Sequence, residues 1–294
     1  MIESAGGAVP GRGTACGKAI LLGEHFVVHG SSAIAVPLLG HGVTASLVAR
    51  DEAPPLEPEV GRLVDRMLLH LGLDPRALGV RVTSTLPIAS GLGSSAALAV
   101  ALVRATGETE LTAVRERAHA LERLAHGNPS GVDDAVVSSE RSVLFRRGAE
   151  PAITLLDVPI PALWVAVVPR SLGTREAVAG VARWRDAHRT TFEGMLAAMG
   201  TMVDEALVRL AAADEPRMGA LLDRAHALLE TIGVVDRRHA AIVDAARRAG
   251  AFGAKTTGAG HGGAVIVMAP PALDLRAPLM AAGAEQVFHT GGRA

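Results

Sequence analysis

Pro87-Ile88-Ala89-Ser90-Gly91-Leu92-Gly93-Ser94-Ser95-Ala96-Ala97 combines two glycines, three serines and the start of an Ala-rich run. Glycines let a backbone approach a phosphate closely. A helix opening just behind them offers unpaired N–H groups and the positive end of its dipole to an anion. The hydroxyls of Ser94 and Ser95 can bond phosphate or enter the shell of a hard cation. Serine ahead of a helix is also a common cap, so capping alone is the competing explanation. Further on, Glu122 and Asp133 flank the turn His126-Gly127-Asn128-Pro129-Ser130-Gly131. That turn can fold one helix back on the next and bring both carboxylates to one mouth. Ser130 and Asp133 also have the spacing of a capping box with Asp in place of Glu, and Glu122 could be a solvated helix acid.

Only two of the 29 basic residues are lysine, Lys18 and Lys255, and Asn128 is the single asparagine. All three lie in Gly-rich segments. Arg is a planar fork and Lys a compact point charge, so a lysine that survives in an Arg-rich chain marks a place where substitution fails. Two other Gly-rich matches carry less. Gly258-Ala259-Gly260-His261-Gly262-Gly263 scans as a dinucleotide fingerprint but leads into a strand, not a helix. Gly17-Lys18 resembles the end of a Walker A loop, yet Arg12 occupies the required first glycine and Ala19 the Ser/Thr position.

These residues must be held by a sizeable fold. The chain has 294 residues, is 49% hydrophobic and carries a formal net charge of −1. That excludes wholesale disorder, and it argues against nucleic acid or an acidic membrane as the main partner. Five Phe, two Trp and no Tyr are too few for base stacking. The lone Cys16 excludes a disulfide framework and fits a cytoplasmic location. No apolar run reaches the length of a membrane span, and the first residues do not read as a signal peptide.

Patterning predicts strands over 15–22, 33–36, 42–49 and 80–85, and amphipathic helices over 60–71 and 112–125. An Ala-rich helix is expected from about Ala96 to Ala105 behind the glycine loop. A buried strand over 163–168, helices to Ala249, a strand over 264–268, a short helix and a last strand over 286–289 follow. Pro159 and Pro161 mark the expected boundary between domains 1–158 and 159–294. Alternating strands and helices in both halves indicate α/β or α+β layers.

Taken together, the ordered segments resemble the GHMP small-molecule kinases. Ala15 to Gly30, with Gly17-Lys18 and Gly23-Glu24-His25, is similar to that family's first motif. Pro87 to Ala97 is similar to its phosphate loop, and Lys255 to Gly263 to its third motif. Gly127 to Asp133, with Val168-Pro169-Arg170 and Thr174 to Val181, points to the branch that acts on mevalonate. The resemblance implies an N-terminal α/β domain, a C-terminal ferredoxin-like domain and a cleft between them. It implies ATP wrapped by Ala89, Ser90, Gly91, Leu92, Gly93, Ser94 and Ser95, and Mg²⁺ held by Ser95 and Glu122. Asp133 would take the hydroxyl proton with Lys18 beside it, while Glu24, His25 and Thr174 face mevalonate and Ser130 supports the site. A sibling acting on phosphomevalonate, another GHMP alcohol kinase and a ligand sensor on the same fold stay open, as does homodimer formation. The chain departs from the family pattern at Cys16, at His261 and at Asp134, which puts a second carboxylate beside Asp133 where Asn is usual.

Overall fold

The computed structural model describes residues 11–87, 90–127, 129–146, 152–169 and 173–293. Ala89 and Asn128 lie outside them. The first sheet is antiparallel, in the order β1 (Arg12–Leu22), β2 (Ser32–Ala49), β4 (Val143–Arg146), β5 (Ala152–Leu155), with β3 (Leu78–Ser84) on the second half of β2. Where the sequence suggested two strands, 33–36 and 42–49, β2 is one strand of 18 residues. Its irregular middle is absorbed by pairing: Cys16 faces Gly42 while Gly17 faces Leu38, so Leu39 to His41 bulge out.

The helices of this half are α1 (Pro58–His70), α2 (Ser94–Ala105), α3 (Leu111–His126) and α4 (Val132–Ser139). α2 has buried apolar residues all round, which makes it the central helix rather than a surface one. It lies directly against β1. A Cβ on Gly13 would sit 2.1 Å from Ala101 O, so only glycine lets helix and strand backbones come this close.

The second sheet runs β7 (Gly253–Thr257), β8 (Gly263–Met268), β6 (Trp164–Val168), β9 (Gln286–His289), again antiparallel. Between β6 and β7 come α5 (Thr174–Ala187), α6 (Arg189–Ala211), α7 (Glu215–Thr231) and α8 (Arg237–Arg248). α9 (Arg276–Ala281) precedes β9. In chain order the strands stand 2-3-1-4, the ferredoxin-like arrangement the resemblance implied. α7 presses on β7 through Gly219 and Gly253, where a Cβ on either would overlap the other's chain or Phe252. Among the described residues no helix is long and apolar enough to cross a membrane.

His226 on α7 is fully buried, and its Nδ1 accepts the Thr256 N–H at 3.3 Å. Burial first, then the nearby cations Arg247 and Lys255, push its pKa down to about 3. In the unfolded chain the ring takes a proton near 6.5. Between those values the unfolded state binds more protons, so His226 costs stability progressively as pH falls below about 6.5. His226→Asn keeps an acceptor near the Nδ1 position. We expect it to flatten the fall of Tm between about pH 6.5 and 4.5 relative to the parent; an unchanged slope would contradict the assignment.

Candidate active site

The glycine loop is fastened from both sides. Leu92 buries its side chain in the core and accepts the Lys18 N–H at 2.9 Å. Ser90 is also buried, its Oγ donating to Pro87 O at 2.8 Å. Gly91 and Gly93 both have φ of +76°, a left-handed conformation that disfavours a side chain. A Cβ on Gly93 would in addition meet Lys18 Cγ at 2.8 Å. α2 starts at Ser94, earlier than the expected Ala96, and Gly93 is its N-cap with no side-chain cap. Capping therefore does not explain the serines. The first N–H groups of α2 are left for an anion, as its dipole favours.

Ser95 Oγ instead donates to Glu122 Oε1 at 2.6 Å, joining the start of α2 to the last turn of α3. Glu122 is buried, and burial raises its pKa, opposed by the Ser95 bond. A cation beside this carboxylate would relieve the cost of burying its charge. A hydroxyl and a carboxylate oxygen are hard donors suited to Mg²⁺, which commonly takes its other ligands from phosphates and water. Among the described residues no group of three His, Cys, Asp or Glu could hold a metal by itself. His126, one turn beyond Glu122, was not picked out from the sequence; its Nε2 lies 3.1 Å from Ser95 Oγ.

Asp133 stands in the first turn of α4. The N-cap is Gly131, without a side-chain cap, so the capping box suggested by Ser130 and Asp133 does not form. The carboxylate goes to Lys18, with Oδ2 3.2 Å from Nζ, and the lysine is nearly buried while Asp133 stays part exposed. Asp134, expected to crowd Asp133, turns to His119 on α3 at 3.3 Å. Burial raises its pKa and the His119 bond opposes that shift. Lys18, Gly91, Gly93, Ser94, Ser95, Glu122, Ser130 and Asp133 thus line one cavity of about 490 Å³, which Ala259 borders from the third motif.

Ala259 also borders a second, mostly apolar cavity of about 190 Å³ lined by Ile20, Glu24, His25, Val27, Val28, Val178 and Val181. His25 has φ of +62°, and its Nε2 bonds Ala259 O at 3.1 Å. Burial lowers its pKa to about 4, so near neutral pH the uncharged ring donates through Nε2 and keeps Nδ1 as an acceptor. Glu24 lines this cavity, but its Oε1 accepts from Lys255 Nζ on β7. Lys255 donates further to Thr256 O at 2.7 Å and Ile20 O at 3.3 Å. Next to it, Thr257 Oγ1 accepts Ile20 N–H at 3.1 Å and donates to Ile20 O at 3.0 Å. β1 and β7 are thereby joined side chain to backbone at the cavity floor. Thr174 opens α5, and its side chain lies outside the described set.

Residues 60–140 match the N-terminal domain of GHMP kinases and residues 205–277 their C-terminal domain. The mevalonate kinase of Thermococcus gammatolerans is 31% identical over 86% of this chain and 87% of its own length. That of Pyrococcus furiosus is 32% identical with the same coverage. Crystal structures of L. major mevalonate kinase with R-mevalonate and of Methanococcus jannaschii mevalonate kinase superpose with TM-scores of 0.81 and 0.75. Their sequence identities are 24% and 21%, and the superpositions cover 97% and 99% of this chain and 96% and 99% of those chains. Both halves of the fold and relatives aligned over most of their own length agree: the chain belongs to the GHMP kinases, beside the mevalonate kinases of that family.

Proposed function

We propose that this protein transfers the γ-phosphoryl group of ATP to the primary hydroxyl of mevalonate, giving 5-phosphomevalonate and ADP. The observation that carries the reading is the Lys18–Asp133 pair at the uncapped N-terminus of α2, in a cavity that meets the His25 pocket at Ala259. Residues 89–95 and the α2 terminus would cradle the phosphates. Ser95 and Glu122 would hold Mg²⁺, which when bound neutralises charge on the phosphates. The acceptor oxygen attacks the γ-phosphorus as the bond to the β-phosphate oxygen breaks. The hydroxyl proton passes to Asp133. Lys18 places a fixed positive charge beside the same oxygen and the transferring group, where positioning and electrostatics do most of the catalysis.

His25, Glu24 and Thr174 would receive the acceptor, and Ser130 would support the turn that carries Asp133. The valines of the second cavity suit an acceptor with an apolar, methyl-bearing middle. Among its described lining residues there is no lysine or arginine to meet a second phosphate, which favours mevalonate over phosphomevalonate. We place the boundary between the two domains at 158/159. Cys16 is buried and burial pushes its thiol up to about 12, an inert group suited to the cytoplasm.

Three measurements test this. In a coupled ADP-release assay across mevalonate, phosphomevalonate, homoserine and galactose, mevalonate should turn over fastest. Faster phosphomevalonate turnover would assign the sibling activity, and no turnover on any of them would leave a binding protein. Asp133→Asn should lower kcat by roughly 10²-fold or more while nucleotide affinity and Tm persist, because Asn cannot take the proton. Lys18→Arg should be nearly as damaging as Lys18→Met, since a planar fork does not put a compact point charge where Nζ meets Asp133 Oδ2. A normal kcat in Asp133→Asn would remove the base assignment, and one in Lys18→Arg the requirement for a point charge.

A further inference from the structure

The first turn of α4 carries Asp133 but has no side-chain cap. Ser130 Oγ reaches only 3.4 Å from Val132 N. A helix of eight residues with an open start needs another fastening to hold a carboxylate in register. One lies across from it. His119 Nδ1 donates to Asp134 Oδ1 at 3.3 Å, and Asp134 is 2% exposed. The same ring lies alongside the cap residue: a Cβ on Gly131 would come 3.6 Å from His119 Cε1 and 3.7 Å from Nδ1. The imidazole therefore lies beside the N-cap glycine and bonds a carboxylate three residues further into the helix.

His119 also stands three residues before Glu122 on α3, so the two side chains leave neighbouring turns of one helix. A single hydrogen bond thus runs between the helix that carries Glu122 and the turn that carries Asp133. We infer that His119 is a positioning residue: by holding Asp134 it fixes the Asp133 carboxylate relative to Glu122. An Asn at 134 would also present an oxygen to Nδ1–H; here a buried carboxylate does so, held by the ring N–H with the Arg115 charge also near it. The inference rests on the phosphotransfer reading above.

The test compares His119→Leu, which fills the space without a donor, with His119→Asn, whose amide N–H can stand near the Nδ1 position. The readouts are kcat and KM for mevalonate and MgATP, ADP affinity by calorimetry, and Tm. Displacing a reacting group by a fraction of an ångström to an ångström costs roughly 10- to 100-fold in rate. His119→Leu should therefore lose about tenfold in kcat with ADP affinity within about twofold, and His119→Asn should recover most of the loss. An unchanged kcat in His119→Leu overturns the inference, and so does equal loss in both variants. If His119→Leu does not fold, Asp134→Ala decides: it removes the acceptor and leaves the ring in place, so a loss of about tenfold in kcat with ADP affinity kept supports the inference and an unchanged kcat overturns it. A parent chain inactive on mevalonate overturns the phosphotransfer reading and this inference with it, whereas an active parent with an unaffected His119→Leu overturns the inference alone.

Discussion

Burying an ammonium and a carboxylate away from water is expensive, and the cost is offset only where each charge meets its partner and its remaining hydrogen-bonding groups are met too. Lys255 and Glu24 are buried against each other at the floor of the cleft, with the lysine's donors met and Glu24 Oε2 left without a hydrogen-bond partner among the described residues. Lys255 has three N–H donors and uses them on Glu24, Ile20 O and Thr256 O. A planar guanidinium does not match three acceptors set around one point, which accounts for a lysine in a chain that otherwise uses arginine. The pair ties β7 of the second sheet to the turn after β1 of the first. Thr257 adds two bonds to Ile20, and His25 adds one to Ala259. The glycine loop, the Lys18–Asp133 pair and the His25 pocket all stand on this seam.

From the seam the site is assembled by short steps along the chain. Lys18 on β1 is four residues before Leu22, where the strand ends, and six before Glu24. Its backbone holds the glycine loop and its side chain holds Asp133. The loop sets the start of α2, and Ser95 in the first turn of α2 reaches Glu122 on α3. The phosphate-facing helix terminus, the hard oxygen donors and the base thus belong to elements that all touch one another, so no loop has to travel to bring them together.

Much of this was legible in the sequence because it is local. Gly91 to Ser95 reads as a phosphate loop from five adjacent residues, and the spacing of Glu122 and Asp133 across a Pro/Gly turn brings them to one mouth. The unusual survival of Lys255 marked the seam itself, and that of Lys18 the site that stands on it. The pairing of Glu24 with Lys255 was not legible, since it joins residues 231 apart through the packing of two sheets. β4 and β5, four residues each, are too short for a period to register, and β7 was hidden inside a glycine-rich motif. The capping box at Ser130 and Asp133 was a correct local pattern overridden by tertiary context: Lys18 offers Asp133 a full charge, and His119 takes Asp134.

The most direct measurement of the seam is a double-mutant cycle on Glu24 and Lys255, read in kcat/KM for mevalonate and in Tm. Removing one partner leaves a buried charge alone, at a cost of about 3–5 kcal/mol, whereas removing both leaves none. Glu24→Gln and Lys255→Met should each lose much of the activity and stability. The double variant should then be no worse than the poorer single one, so that the two losses do not add. Additive losses would contradict the account, because they would mean that the two residues act separately and that the seam does not set the site.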